Sequence, residues 1–305
     1  MSFSIKILGS NSAIPAYGRN HSSQHLTVHN QHYLIDCGEG TQLQLLKYRL
    51  KISKINYIFI SHLHGDHYLG LQGLLSSMHL LGRTKILELF GPPDTADIIT
   101  LQLKCSQTIL NYRINFHEIL YGSFCQIHED KLLKVYSIPL KHKIDCAGFL
   151  FREKPKPRRI IKEKLPDDLT LKEIANLKKG IDITDSNGKV KYKNSDLTRE
   201  PRPIRSYAYC SDTKYDEEII PHIKGVDILY HEATFLHENE NWAQKTFHST
   251  SKQAGKIAKK AEVGKLLIGH FSARYKDLDP FLDEAREEFK NTYLALEGLT
   301  FTIDD

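Results

Sequence analysis

A run of six residues, His62-Leu63-His64-Gly65-Asp66-His67, constrains this chain more than any other feature. It follows Ile55–Ile60, an apolar, β-branched stretch that predicts a buried strand. Four groups able to bind a metal therefore leave the end of one strand in a single short loop. Imidazole and carboxylate together suit a borderline cation such as Zn²⁺. Four ligands within six residues are too crowded for one tetrahedral ion, so the spacing predicts two ions side by side. Gly65 is expected to relax the backbone where the chain turns. Chance supplies this pattern in only about 2 of 1,000 chains of this length. That sets aside the plain alternative, a polar loop of solvated histidines.

Two ions need further ligands. His142, Asp212 and His270 are the candidates, because each follows a predicted strand: Leu132–Pro139, Ser206–Cys210 and Lys265–Ile268. Ligands at the carboxyl ends of strands converge on one edge of a sheet, where an α/β protein places its site. Further strands are expected at Phe3–Leu8, Gln31–Ile35, Ile86–Phe90, Cys146–Phe151 and Val226–Tyr230. Helices are expected from Thr41 and over Leu69–Leu81. Two cations ~3.5–4 Å apart lower the pKa of a water between them and neutralise charge on a reacting oxygen. The leaving oxygen then needs a proton, which a histidine held by a carboxylate can supply. His231, Glu232 and His248, placed in candidate loops, could form that donor group.

The 305 residues are 40% hydrophobic, enough for one large core or two ordinary ones. No stretch approaches ~18 uninterrupted apolar residues, so no transmembrane helix is expected. The N-terminal residues lack the apolar core of a signal peptide, which points to a cytoplasmic protein. Cys37, Cys105, Cys125, Cys146 and Cys210 are odd in number and scattered. That argues against a disulfide framework or a thiolate zinc site. The net charge of +5 conceals an asymmetry. Residues 152–205 carry 16 basic and 9 acidic side chains, a net +7, while the remainder is −2. This proline-interrupted segment contains one predicted helix, Leu169–Lys178, and an Asn187-Gly188 turn between possible strands. It is expected to lack a core of its own and to project as an insertion. By charge alone it is either a solvated surface loop or a phosphate-binding device.

The His62-to-His67 run resembles the signature of the metallo-β-lactamase superfamily. Six blocks extend the resemblance to the short-form ribonuclease Z family over nearly the whole chain. They are Leu8-Gly9-Ser10 with Pro15 and Arg19-Asn20; Asp36-Cys37-Gly38-Glu39-Gly40-Thr41; Ser61 to His67; Ser211-Asp212-Thr213; His231-Glu232-Ala233-Thr234-Phe235 with His248-Ser249-Thr250; and Gly269-His270-Phe271-Ser272-Ala273-Arg274-Tyr275. The resemblance implies a single α/β (α+β) domain over residues 1–305. Its expected fold is an αββα metallo-β-lactamase sandwich with residues 152–205 inserted as a flexible, tRNA-binding arm. It implies a zinc-dependent endonuclease that removes the 3′ trailer from precursor tRNA, leaving a 3′-hydroxyl on the tRNA and a 5′-phosphate on the trailer.

By the same resemblance, His62, His64 and His142 hold one zinc, Asp66, His67 and His270 hold the other, and Asp212 bridges them. Asp66 also accepts a proton from the attacking water. His248, supported by Glu232, donates to the leaving oxygen. Ser272 and Arg274 contact phosphate, and Arg19 and Asn20 inspect the RNA end. Asp36 also matches the family, but its place after a strand and before a glycine turn gives it a structural role. A homodimer is implied, and no membrane partner. Two departures stand out: Tyr17 replaces a lysine common in relatives, and the arm lacks a Gly-Pro element at its tip. The competing readings are a hydrolase of a small phosphodiester or ester, and a non-catalytic RNA-binding protein.

Overall fold

Apolar runs form the strands of this chain because most of them are covered on both faces. In Cys146–Glu153 and Ser206–Cys210, Phe149, Phe151, Tyr207 and Tyr209 point one way, and Leu150, Ala208 and Cys210 point the other. This is the two-residue period of a strand, with neither side left to water. The computed structural model describes residues 2–304, which divide into two compact units. The larger comprises residues up to Arg152 together with Ser206–Asp304, and the smaller is Glu153–Arg205.

The larger unit contains two seven-stranded sheets. The first runs in the order Thr300–Thr302, Phe3–Gly9, Ser23–Val28, Gln31–Ile35, Ile55–Phe59, Leu87–Gly91, Ile114–Glu118. The second runs Thr292–Leu294, Lys265–Gly269, Ile228–Glu232, Ser206–Cys210, Cys146–Glu153, Leu133–Leu140, Cys125–Glu129. A core of Phe3, Ile5, Phe59, Phe149, Tyr207 and Leu267 draws on both sheets and lies between them. A second core joins the outer face of one sheet to the helices Ser251–Lys260 and Asp279–Glu288 through Ala254, Ile257, Ala258 and Phe281. A third joins the other sheet to Leu71–Leu80 through Leu71, Leu74, Leu75 and Met78. The layers are therefore helix, sheet, sheet, helix. Each fully buried side chain of this kind contributes about 1.5–3 kcal/mol relative to exposure.

Each sheet has one parallel half: Gln31–Ile35 to Ile114–Glu118 in the first, and Ser206–Cys210 to Thr292–Leu294 in the second. Asp36, His62, Asp212 and His270 all lie just beyond the carboxyl ends of such strands.

Two local expectations differ from what is observed, at Gly65 and at the end of the strand through Tyr230. The helix expected over Leu69–Leu81 forms as Leu71–Leu80; a separate short helix, Gly65–Tyr68, precedes it, and between them the Gly70 N–H donates to the Cys37 carbonyl at 2.9 Å. A Cβ on Gly70 would lie 2.2 Å from the Gly38 carbonyl oxygen, so only glycine permits this approach. Gly65 is not a left-handed turn residue; it opens the short helix, and a Cβ there would meet the Leu69 side chain. The strand expected to stop at Tyr230 continues to Glu232, which makes His231 and Glu232 strand residues rather than loop residues.

The smaller unit corrects the expectation that it has no core. Leu177, Ile183 and Leu197 are buried, with Ile160, Leu165, Leu169 and Tyr192 packed against them. Its helix, Leu171–Lys178, starts at a reciprocal cap between Thr170 and Glu173. The Asn187-Gly188 turn joins Ile183–Thr184 to Val190–Tyr192, with Gly188 at φ 79°. At its ends, buried Arg205 donates to Glu153 through Nε at 2.9 Å and Nη2 at 2.7 Å. Burial pushes the Glu153 carboxyl up, but hydrogen bonds from Arg205 and Lys156 outweigh it and bring it down to about 2.

Candidate metal centre

The ligand candidates meet at one edge of the larger unit as two groups. In the first, His62 Nε2 and His142 Nε2 lie 3.1 and 3.0 Å from His64 Nδ1. Their outer nitrogens are already committed. His142 Nδ1–H donates to the Phe247 carbonyl at 3.0 Å, and His62 Nδ1–H to Ser61 Oγ at 3.0 Å. The inner nitrogens therefore present lone pairs to one another. Burial drives all three imidazoles toward the neutral form, His62 well below its ordinary value.

In the second group, His67 Nε2 and His270 Nε2 are 3.3 Å apart, and Asp66 Oδ2 lies 3.4 and 3.3 Å from them. His67 Nδ1–H donates to Asp36 Oδ2 at 2.8 Å, and His270 Nδ1–H to Thr234 Oγ1 at 2.8 Å. Burial pushes the Asp66 and Asp212 carboxyls up, but His67 and His270 outweigh it and hold both well below the usual range.

Asp212 faces both groups. Its Oδ2 is 3.7 Å from His62 Nε2 and 3.7 Å from His142 Nε2. Its Oδ1 is 3.3 Å from His67 Nε2 and 3.2 Å from His270 Nε2. One carboxylate thus offers an oxygen to each side, and the donor atoms within each group lie within 4.8 Å of one another.

This donor set fits metal ions. Asp36, Asp66, Asp212 and Glu232 are all buried, and among the described residues no Lys or Arg pairs with any of them. Buried carboxylates need compensating charge, and converging imidazole lone pairs leave a cation as the partner common to all. The backbone is held in an unusual conformation at the same place. Asp36 and His270 have φ of 54° and 63°, a left-handed region that costs non-glycine residues energy and tends to appear where a site fixes it.

Beside the second group, His248 Nδ1–H donates to Glu232 Oε1 at 2.8 Å, leaving Nε2 free of that bond. Burial lowers the His248 imidazole, but Glu232 outweighs it and raises it to about 9. Glu232 is fixed by the Thr213 N–H at 3.1 Å and the Thr234 hydroxyl at 2.7 Å. His64, Asp66, Asp212, His248 and His270 of this assembly line a cleft of 780 Å³, together with Ser272 and Arg274 among others.

Comparison with known proteins agrees with this geometry. Ribonuclease Z of Cytophaga hutchinsonii is 52% identical over 305 residues, which cover 100% of this chain and 97% of that one. The chain belongs to the ribonuclease Z family. It is a metal-dependent hydrolase. A family model described as anti-Pycsar protein Apyc1 matches residues 3–140. Among solved structures, human tRNase Z, short form, superposes with a TM-score of 0.73 at 24% identity, covering 99% of this chain and 100% of that one. A metallo-β-lactamase fold protein of Bacillus subtilis gives 0.70 at 18% identity, covering 99% and 100%. The layered fold is that of the metallo-β-lactamases.

Within this ribonuclease Z family member, His62, His64, Asp66, His67, His142, Asp212 and His270 come together, and Glu232 and His248 adjoin them. His231 does not. It alternates with Glu232 along the strand, so it faces away; its Nδ1 contacts the Glu232 carbonyl at 2.7 Å and its Nε2 is buried without a hydrogen bond. Arg19 and Asn20 do not line the cleft either. Arg19 donates to Asn11 Oδ1 at 2.8 Å and the Tyr275 carbonyl at 2.6 Å, and Asn20 donates to Glu297 at 3.0 Å. They brace the loop whose Ser12, Ala13, Ile14 and Pro15 form the cleft wall. Thr234 is the residue the sequence reading missed. Its hydroxyl ties His270 to Glu232, and its position two residues after Glu232, on the same side of an extended chain, was the available signal.

Proposed function

We propose that this chain is a zinc-dependent endoribonuclease that removes the 3′ trailer from precursor tRNA, leaving a 3′-hydroxyl on the tRNA and a 5′-phosphate on the trailer. The observation that carries the reading is Asp212, with one oxygen toward each of two ligand groups, beside the His248–Glu232 pair. The family relationship gives the substrate. His62, His64 and His142 would hold one ion, Asp66, His67 and His270 the other, with Asp212 between. Such a pair, when bound, supplies a water ionised near neutral pH and neutralises charge on the phosphate. Asp66 lines the cleft and takes the proton of the attacking water. That water's oxygen bonds to phosphorus as the bond from phosphorus to the 3′-oxygen breaks. His248 Nε2, opposite the nitrogen that Glu232 holds, gives its proton to the departing 3′-oxygen. Ser272 and Arg274 contact the phosphate from the cleft wall.

Residues 152–205 act as an arm that grips tRNA. In the smaller unit Lys162, Lys164, Lys172, Lys178, Lys179 and Lys193 are exposed and have no ion-pair partner among the described residues. Unpaired cations of this kind release counterions on binding a polyanion, which a small ester would not require. The working form is a homodimer in the cytoplasm. The exposed Leu43, Leu46, Leu80 and Leu81 supply apolar surface suited to self-association.

The decisive test is cleavage of a precursor tRNA mapped at nucleotide resolution. The wild-type chain should cut at the trailer junction. Asp66→Ala should lower the rate by on the order of 10³-fold or more with binding retained. Undiminished cutting by the variant would remove Asp66 from this role.

A further inference from the structure

The chain has one tryptophan, Trp242, and it stands half-exposed beside the cleft. Two contacts fix its place. The Arg274 guanidinium carbon lies 5.4 Å from the centre of the indole and 5.7 Å from that of Phe235, so the cation is held between two rings. Arg274 and Phe235 both line the cleft, and among the described residues no carboxylate pairs with Arg274. Trp242 also lies one turn before Thr246 on the helix Glu240–Thr246, and the Thr246 hydroxyl donates to the Trp242 carbonyl at 2.8 Å. Residues four apart share a helix face, and Thr246 is itself part of the cleft wall. The wall therefore continues outward from His248 through Thr246 to an exposed aromatic surface.

An indole that is 46% exposed contributes little to a core. Placed next to an unpaired arginine at the mouth of a phosphate-binding cleft, it has the chemistry of a stacking platform. We propose that Trp242 stacks on the nucleobase immediately 5′ of the scissile phosphate, while Arg274, held between Trp242 and Phe235, binds the backbone. The 5′ assignment follows from His248. That residue protonates the leaving 3′-oxygen, which belongs to the 5′ nucleotide, and Trp242 lies on the helix that leads into His248. The inference rests on the endoribonuclease reading and adds a substrate-binding residue to it.

A single tryptophan makes the test direct, because all indole emission comes from this position. The Asp66→Ala chain is titrated with precursor tRNA, which it holds uncut. Emission should be quenched. An abasic nucleotide 5′ of the cut should abolish the quench, and one 3′ of the cut should leave it. In the otherwise wild-type chain, Trp242→Ala should raise KM for precursor tRNA about tenfold. Trp242→Phe should recover most of that loss. On the 5′-abasic precursor the penalty of Trp242→Ala should disappear, since two changes to one contact do not add. Emission that stays constant as precursor binds, a quench that survives the 5′ abasic change, or equal penalties on both precursors would overturn the proposal. Failure of the wild-type chain to cut precursor tRNA at all would instead refute the reading beneath it.

Discussion

The two units of this protein treat charge in opposite ways. The larger buries four carboxylates and a group of histidines at one sheet edge, with no Lys or Arg paired to those carboxylates among the described residues. Apart from Arg205, which is buried against Glu153, the smaller leaves its basic side chains partly or fully exposed around a core of three buried residues, Leu177, Ile183 and Leu197. Burial makes a charge strong and its partner obligatory, which suits bond-breaking at one point. Exposure makes charges individually weak and collectively long-ranged, which suits capture of a polyanion. The first arrangement demands fixed geometry. The second demands only that the cations remain accessible.

The contrast breaks most sharply at Asp212. Replacing it with alanine should remove the oxygen that each ligand group shares, lowering metal content below two ions per chain and activity by on the order of 10³-fold. Elemental analysis of the purified variant checks this, and a full complement of metal would end the shared-carboxylate model. Deleting 155–201 is the next largest change. It should weaken tRNA binding and flatten its dependence on salt by about one unit of log–log slope per lost phosphate contact. Hydrolysis of a small phosphodiester should survive; equal loss on both substrates would make the segment structural.

The smallest effect concerns how the smaller unit is held together. Glu153 has its carboxyl depressed to about 2 by Arg205 and Lys156. A depressed carboxyl stabilises the folded state fully above its ordinary value and loses that contribution as pH falls toward the folded one. Glu153→Gln should therefore destabilise the unit by about 3 kcal/mol near neutral pH. The gap from wild type should close between about pH 4.5 and about pH 2. Amide hydrogen exchange across Leu171–Lys178 reads this locally, and a gap independent of pH would contradict it.

Much of the site was legible because its signal is chemical type plus periodicity. A β-branched run ending at His62, and strands ending before His142, Asp212 and His270, can be seen without knowing how the sheets stack. What escaped depended on contacts remote in sequence or on where strands end. The choice between His231 and Glu232 turned on a strand that ends two residues beyond its apolar run, because only one of two neighbours can face the site. Ser23–Val28 reads as polar, yet it is nearly all buried, since Tyr207 donates to Gln24 from the facing sheet. Arg19 and Asn20 looked like free substrate ligands until Asn11, Tyr275 and Glu297 occupied their donors.

The sequence by itself determined which donor atoms exist, how closely four of them are spaced between His62 and His67, and the segregation of seven net positive charges into residues 152–205. These follow from covalent order and side-chain chemistry. Only the tertiary structure decided which imidazole nitrogen faces inward, which neighbour of a strand pair reaches the cleft, and that Arg274 lies between Phe235 and Trp242. The reason is that hydrogen bonds and charge compensation act through space. His67 and His270 lie 203 residues apart in the chain and 3.3 Å apart in the folded protein.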